Sequence, residues 1–184
     1  MNTAYSKPHS TVFHFQHGAA MMELLITMLI IAFGALGFVG LQAQTTLSQM
    51  EGYQRSQALI LINDISERMS LNRANATGYV GNNIGTTDPG DCATPATRVL
   101  KDLCEWSLLI QGAAETQGTA KLGAMSGARG CITSPAVNQY LISIAWQGVQ
   151  ASGASVNTCG MNAYTNENMR RTVTTVLQIA TLAS

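Results

Sequence analysis

Charge is scarce in this chain of 184 residues: Asp, Glu, Lys and Arg together make up 11%, against about 25% in ordinary soluble domains. Ten basic and ten acidic side chains balance to a formal net charge of zero. No basic field exists to attract a polyanion, so nucleic acid is not an expected partner. Histidine is scarcer still. All three, His9, His14 and His17, precede Gly18. A chain cut after Gly18 contains none, which excludes Ser–His–Asp catalysis, Cys–His catalysis and histidine metal ligation together. The same cut removes Lys7, leaving nine basic against ten acidic groups, a net of −1. There is no nucleophile motif, and the carboxylates are scattered. Neither an enzyme nor a cofactor or metal site is expected.

Cys92, Cys104, Cys131 and Cys159 include no C-x-x-C pair, which argues against a zinc knuckle or a thioredoxin-like site. Four cysteines allow three pairings. The local closures Cys92–Cys104 and Cys131–Cys159 are favoured, and four reduced, buried cysteines stand as the alternative. An even count beyond an apolar segment fits an oxidising compartment such as the periplasm.

What the chain does have is a long apolar run. From Ala19 to Leu41 there are 23 residues, and Glu23 is the only charge among them. At ~1.5 Å per residue such a helix spans about 35 Å, enough to cross a ~30 Å hydrocarbon layer. A charge at that depth costs roughly 2.5–3.5 kcal/mol or more. The small residues Gly18-Ala19-Ala20 precede the run instead of following it. Cutting there trims a hydrophilic leader and leaves the helix attached, unlike an ordinary secretory signal. Lys7 before the run and no basic residue after it until Arg55 favour a cytoplasmic N-terminus. Gly34, Gly37 and Gly40 recur every three residues. Each weakens a helix by roughly 0.8–1 kcal/mol relative to Ala, yet lets a neighbouring backbone approach closely.

No proline or turn cluster interrupts residues 41–72. Leu47, Met50, Tyr53, Ala58, Leu61, Ile62, Ile65 and Met69 recur at helical spacing, opposite Glu51, Arg55, Asp64, Glu67 and Arg68. The membrane segment is therefore expected to continue as an amphipathic helix. Residues 75–97, rich in Gly, Asn, Thr and Pro, read as a long loop. Thr94-Pro95 predicts a helix start, with Val99, Leu100, Leu103, Trp106 and Ile110 on its apolar side and Gly112 ending it. After a Gly-rich stretch over 112–130, alternation predicts strands at 140–147 and 172–180, with a short third strand at 131–133. An antiparallel sheet packed on the amphipathic half of the long helix gives an α+β layer arrangement.

These features together resemble the type IV pilin-like superfamily. Gly18 matches the end of the leader, Ala19 the mature N-terminus, and Glu23 the glutamate five residues into the mature chain. The segments GALGFVGLQAQ (34–44), YQRSQALILINDISERM (53–69), CEW (104–106), YLISIAWQG (140–148) and RRTVTTV (170–176) are similar to minor pilins of the pilus-modification type. The resemblance implies a pilin-like fold divided into a leader (1–18), the membrane half (19–41) and the amphipathic half (42–72) of one helix, and a disulfide-bearing globular domain (73–184). It implies cleavage between Gly18 and Ala19 by a prepilin peptidase, and N-methylation of Ala19. The family usually has Phe where Ala19 stands and a basic residue where His17 stands, which predicts slower processing. Implied partners are other minor pilins, the major pilin, the inner membrane and a pilus-tip adhesin. The implied location is the inner membrane with the domain in the periplasm, then the pilus on the cell surface.

Two other functions compete. A minor pseudopilin of a type II secretion system with a calcium site needs clustered C-terminal acids, but Glu167 stands almost alone there. A DNA-uptake pilin needs a basic patch with stacking aromatics, and Arg170-Arg171 is the only basic pair in the globular part. Surface adhesion through the 112–130 loop remains open on the residues alone.

Overall fold

The computed structural model describes residues 17–113, 116–118, 120–121 and 125–180. Residues 1–16 of the expected leader lie outside the described residues, and of residues 17–20 only the helical backbone is described. The chain divides into two compact units, Met1–Thr46 and Leu47–Ser184. Helix α1 (His17–Leu71) runs through that boundary without a break.

In the first unit, the helix is the described structure. It is long and apolar enough to cross a membrane, and none of its most apolar stretch is buried. Three hydroxyls along it are satisfied by the helix's own carbonyls: Thr27 donates to Leu24, Thr45 to Leu41 and Thr46 to Gln42, at 2.9–3.0 Å.

The second unit is an α+β arrangement. After α1 come a 3₁₀ turn (Arg73–Tyr79), β1 (Gly81–Ile84), α2 (Arg98–Ile110), β2 (Thr116–Gln117), β3 (Ala120–Lys121), β4 (Arg129–Ala136) and β5 (Gln139–Gln147). A second 3₁₀ turn (Glu167–Met169) leads into β6 (Arg170–Gln178). The main sheet is antiparallel with order β1-β4-β5-β6, and β2 and β3 form a separate small hairpin.

Several expectations are corrected. The 75–97 loop contains most of the first 3₁₀ turn and all of β1, which pairs with β4. The four residues Gly81-Asn82-Asn83-Ile84 carry little β propensity; their pairing comes from β4 alongside them. α2 starts at Arg98, not at Pro95, because Thr97 has the extended backbone of an N-cap and its hydroxyl accepts the Leu100 N–H at 3.2 Å. On α2, Leu100 is 52% exposed, and Asp102, two residues on, is buried. The short third strand at 131–133 is the eight-residue β4, and the Gly-rich stretch before it contains the β2–β3 hairpin.

The amphipathic stripe is buried only from Ala58 onward. Ala58, Leu61, Ile62, Ile65 and Met69 form one core with Ile132, Tyr140, Ile142, Ile144 and Trp146 of the sheet and with Trp106 and Ile110 of α2. Met50 and Tyr53 are about half exposed, since the sheet does not reach their side of the helix. Even-numbered residues of β5 face this core. On the opposite face, Cys131, Ala145 and Cys159 make a second small cluster. The middle of β5 is therefore covered on both faces, and its outer-face residues Ser143 and Ala145 are buried and small.

One glycine sets the fit of the main core. A Cβ at Gly130 in β4 would overlap the Trp106 indole and crowd Ile110 at 3.0 Å. Only glycine lets α2 lie this close to the sheet.

Candidate assembly surface

The helix of the first unit exposes a continuous apolar surface, including Leu25, Leu29, Phe33, Leu36, Phe38 and Leu41. Glu23 is exposed on it and has no hydrogen-bond or ion-pair partner among the described residues. The contrast with Thr27 is physical. A hydroxyl can bond back to the helix backbone, while a carboxylate so placed needs a donor or a cation from elsewhere. At Gly34, Gly37 and Gly40 an added Cβ would meet nothing within 4 Å. No packing within the chain calls for glycine there, so the cost of three helix glycines is not offset inside this molecule. In the sequence, Ala19 stands four residues before Glu23.

The second unit holds its polar groups in closed networks. Asp102, 1% exposed, accepts from Arg98 Nε at 2.9 Å, from Arg68 Nη1 at 3.3 Å and from the Tyr79 hydroxyl. Arg68 also pairs with Asp64 at 2.9 Å and Glu105 at 2.5 Å. Burial works against the Arg68 charge, but the hydrogen bonds and charges of Glu105 and Asp64 outweigh it and raise its pKa. Tyr79 is pushed up to about 12, first by burial and then by its hydrogen bond to Asp102. This cluster ties α1, the first 3₁₀ turn and α2 together. The only trace of it in the sequence is the i,i+4 spacing of Arg98–Asp102 and Asp64–Arg68. Asp102 itself was hidden because a carboxylate on a helix ordinarily reads as a solvated residue.

The two arginines at the start of β6 are salt-bridge partners. Arg170, 3% exposed, pairs with Glu167 at 2.6 Å and donates to the Ser155, Asn157 and Cys159 carbonyls. Glu167 is thus paired, not isolated. Arg171 pairs with Glu51 of α1 at 3.2 Å, and Trp146 Nε1 donates to Gln54 of α1 at 3.1 Å. No buried side-chain nitrogen or oxygen lacks a partner among the described residues.

The cysteines pair as Cys92–Cys104 and Cys131–Cys159. The first holds the loop before α2 to that helix. The second fastens the segment following Ser155 over the outer face of the sheet. There Asn157 Nδ2 also reaches the Ser143 and Thr174 hydroxyls at 3.0 Å.

Among the described residues, no three His, Cys, Asp or Glu side chains gather as metal ligands. A cleft of about 370 Å³ lies between Gly85, Gln111, Lys121 and Arg129, but its charged groups are engaged. Lys121 donates to Gln111, and Arg129 lies 5.0 Å over the Tyr164 ring. Tyr164 has its pKa raised by burial, against the opposing charge of Arg129. Among the described residues, neither cleft nor network presents a free acid–base pair. In the first unit, the features left without a partner among the described residues are the apolar helix surface, its carboxylate and its three open glycines. Comparison with family models, curated proteins and solved structures returns no match for this chain.

Proposed function

We propose that this chain is a minor pilin, a membrane-anchored subunit of a type IV pilus, acting in a tip or initiation complex that primes polymerisation and so supports adhesion and twitching motility. Its partners are the prepilin peptidase, other minor pilins, the major pilin and a tip adhesin. It resides in the inner membrane with its domain in the periplasm, and then in the pilus at the cell surface. The observation that carries this reading is Glu23, a carboxylate on an exposed apolar helix with no partner among the described residues, just after the Gly18-Ala19 junction.

Cleavage at that junction creates a new amine at Ala19. A carboxylate in hydrocarbon is costly alone, and the amine of a staggered neighbouring helix supplies the opposite charge. The monomer in the membrane is penalised, and assembly relieves the penalty. Close approach of helices at Gly34, Gly37 and Gly40 serves the same packing. Two disulfides suit the periplasm.

The test is Glu23→Ala in cells that make filaments. The variant is processed normally but is lost from the sheared filament fraction. Recovery there equal to wild type sinks the pairing argument. Gly18→Val complements it, since that protein stays full length and outside filaments. An intact mass and N-terminal sequence of the native protein read cleavage, methylation and oxidation together.

A further inference from the structure

The two edges of the main sheet differ. β1 is four residues long, its register with β4 shifts between Gly81 and Ile84, and Asn83 has φ of 57°. Short, irregular edges resist pairing with another chain. β6 is nine residues long and pairs with β5 from Arg170↔Gln147 to Gln178↔Gln139 with no shift.

The free groups of β6 follow from its ladder. Ile179 donates its N–H to the Asn138 carbonyl, and Gly148 donates to the Met169 carbonyl, both at 2.8 Å. Antiparallel bonds alternate along a strand, so Arg171, Val173, Thr175 and Leu177 direct their backbone groups at β5. Thr172, Thr174, Val176 and Gln178 direct theirs away from the sheet, and none has a backbone partner among the described residues. Thr174, Val176 and Gln178 are exposed. This edge has no lysine, proline or bulge to guard it. Its two arginines are held by Glu167 and Glu51.

The geometry points to β6 as a strand-addition surface whose partner is β6 of a second copy of this chain. Self-complementarity selects that partner. Two-fold pairing centred on Thr175 sets Thr172 opposite Gln178 and Thr174 opposite Val176, so all the outward N–H and C=O groups find partners. A centre on Thr174 would instead bring in Arg170, whose N–H is already bonded to the Glu167 carbonyl. With Thr175 at the centre, Arg171 lies opposite Ile179, and no like charges meet. Thr175 meets Thr175, a favourable cross-strand pair, and Thr174 and Val176 are both β-branched residues suited to strands. The inference is independent of the filament reading.

The test uses the full chain in detergent micelles with Thr175→Cys. Across the two-fold axis Thr175 is a non-hydrogen-bonded pair, with Cα atoms about 4.5 Å apart, within reach of a disulfide. Air oxidation yields a covalent dimer. Val137→Cys, at an exposed turn (86%), is the control and yields little. Adding Val176→Pro to Thr175→Cys removes an N–H that the β5 ladder does not use. It deletes two intermolecular hydrogen bonds per dimer and lowers the dimer yield about tenfold. Val176→Lys does the same by guarding the edge. Peptide mapping of both native disulfides verifies the fold of each variant. A Thr175→Cys yield no higher than the Val137→Cys control overturns the inference. So does a dimer untouched by both Val176 changes, which would assign association to another surface such as the membrane helix. Glu23→Ala leaves the β6 dimer intact, which separates this result from the filament test.

Discussion

The indole N–H of Trp106 donates to the backbone carbonyl of Leu61 at 2.9 Å, joining α2 to α1 across 45 positions of sequence. That carbonyl belongs to a helix residue, so the bond is an added contact on an already bonded group. It fixes the depth to which the indole enters the core, and the depth is what demands glycine at position 130.

Gly130→Ala should therefore overpack the core. The expected loss is about 1–3 kcal/mol, the usual range for forcing an extra methyl into a filled site. Thermal or urea unfolding of the full chain in detergent measures it. Gly130→Ala combined with Trp106→Phe should recover part of the loss if the indole is the clashing group, and none if it is not.

Tyr79 should make stability fall at high pH. Its pKa is raised from 10.0 to about 12 in the folded chain. The folded state thus holds a proton that the unfolded state releases first. The contribution is complete below pH 10 and is lost as pH rises toward 12. Tyr79→Phe should flatten the stability profile across that window relative to wild type. It should also cost about 1–3 kcal/mol at neutral pH, because buried Asp102 loses a donor. An unchanged slope between pH 10 and 12 would remove Tyr79 from the account.

The two disulfides should differ in weight. Their sequence separations are 28 and 12, and chain-entropy reasoning makes the longer closure worth about 0.7 kcal/mol more, on a base of roughly 2–4 kcal/mol each. The Cys131→Ser, Cys159→Ser pair should also raise hydrogen exchange over residues 155–160, which only hydrogen bonds to Arg170, Ser143, Thr172 and Thr174 then hold. The Cys92→Ser, Cys104→Ser pair should leave that segment protected.

Gly34, Gly37 and Gly40 separate intramolecular from intermolecular roles. Each faces open space in the chain, so Gly→Ala should strengthen the isolated helix by roughly 0.8–1 kcal/mol per site. Replacement by Leu, which blocks close approach, should lower incorporation into filaments while leaving unfolding of the Leu47–Ser184 unit unchanged. If triple Leu variants enter filaments normally, these glycines have no packing role.

How much was legible in the sequence varied by element. The end of α1 near residue 72 and the strands at β5 and β6 followed from periodicity. So did the end of α2 at Gly112, whose φ of 75° suits glycine. The start of α2 was misplaced because Thr94-Pro95 and Thr97 offer competing caps, and only the backbone geometry chooses between them. β1 was invisible, since Gly81-Asn82-Asn83-Ile84 has no strand pattern of its own. Met50 and Tyr53 were assigned to the core because periodicity cannot tell where a sheet stops covering a helix.

The sequence alone determined the apolar segment, its single carboxylate, the glycine spacing and the loss of all histidine after Gly18. These depend on composition and local periodicity, which need no partner. Tertiary structure decided that Asp102 is buried and Leu100 is not, that Arg170 holds the Cys159 segment, and that β6 rather than β1 is the open edge. Each of those depends on groups distant in sequence meeting in space. Burial, ion pairing and strand register are properties of pairs, and no single residue carries them in advance.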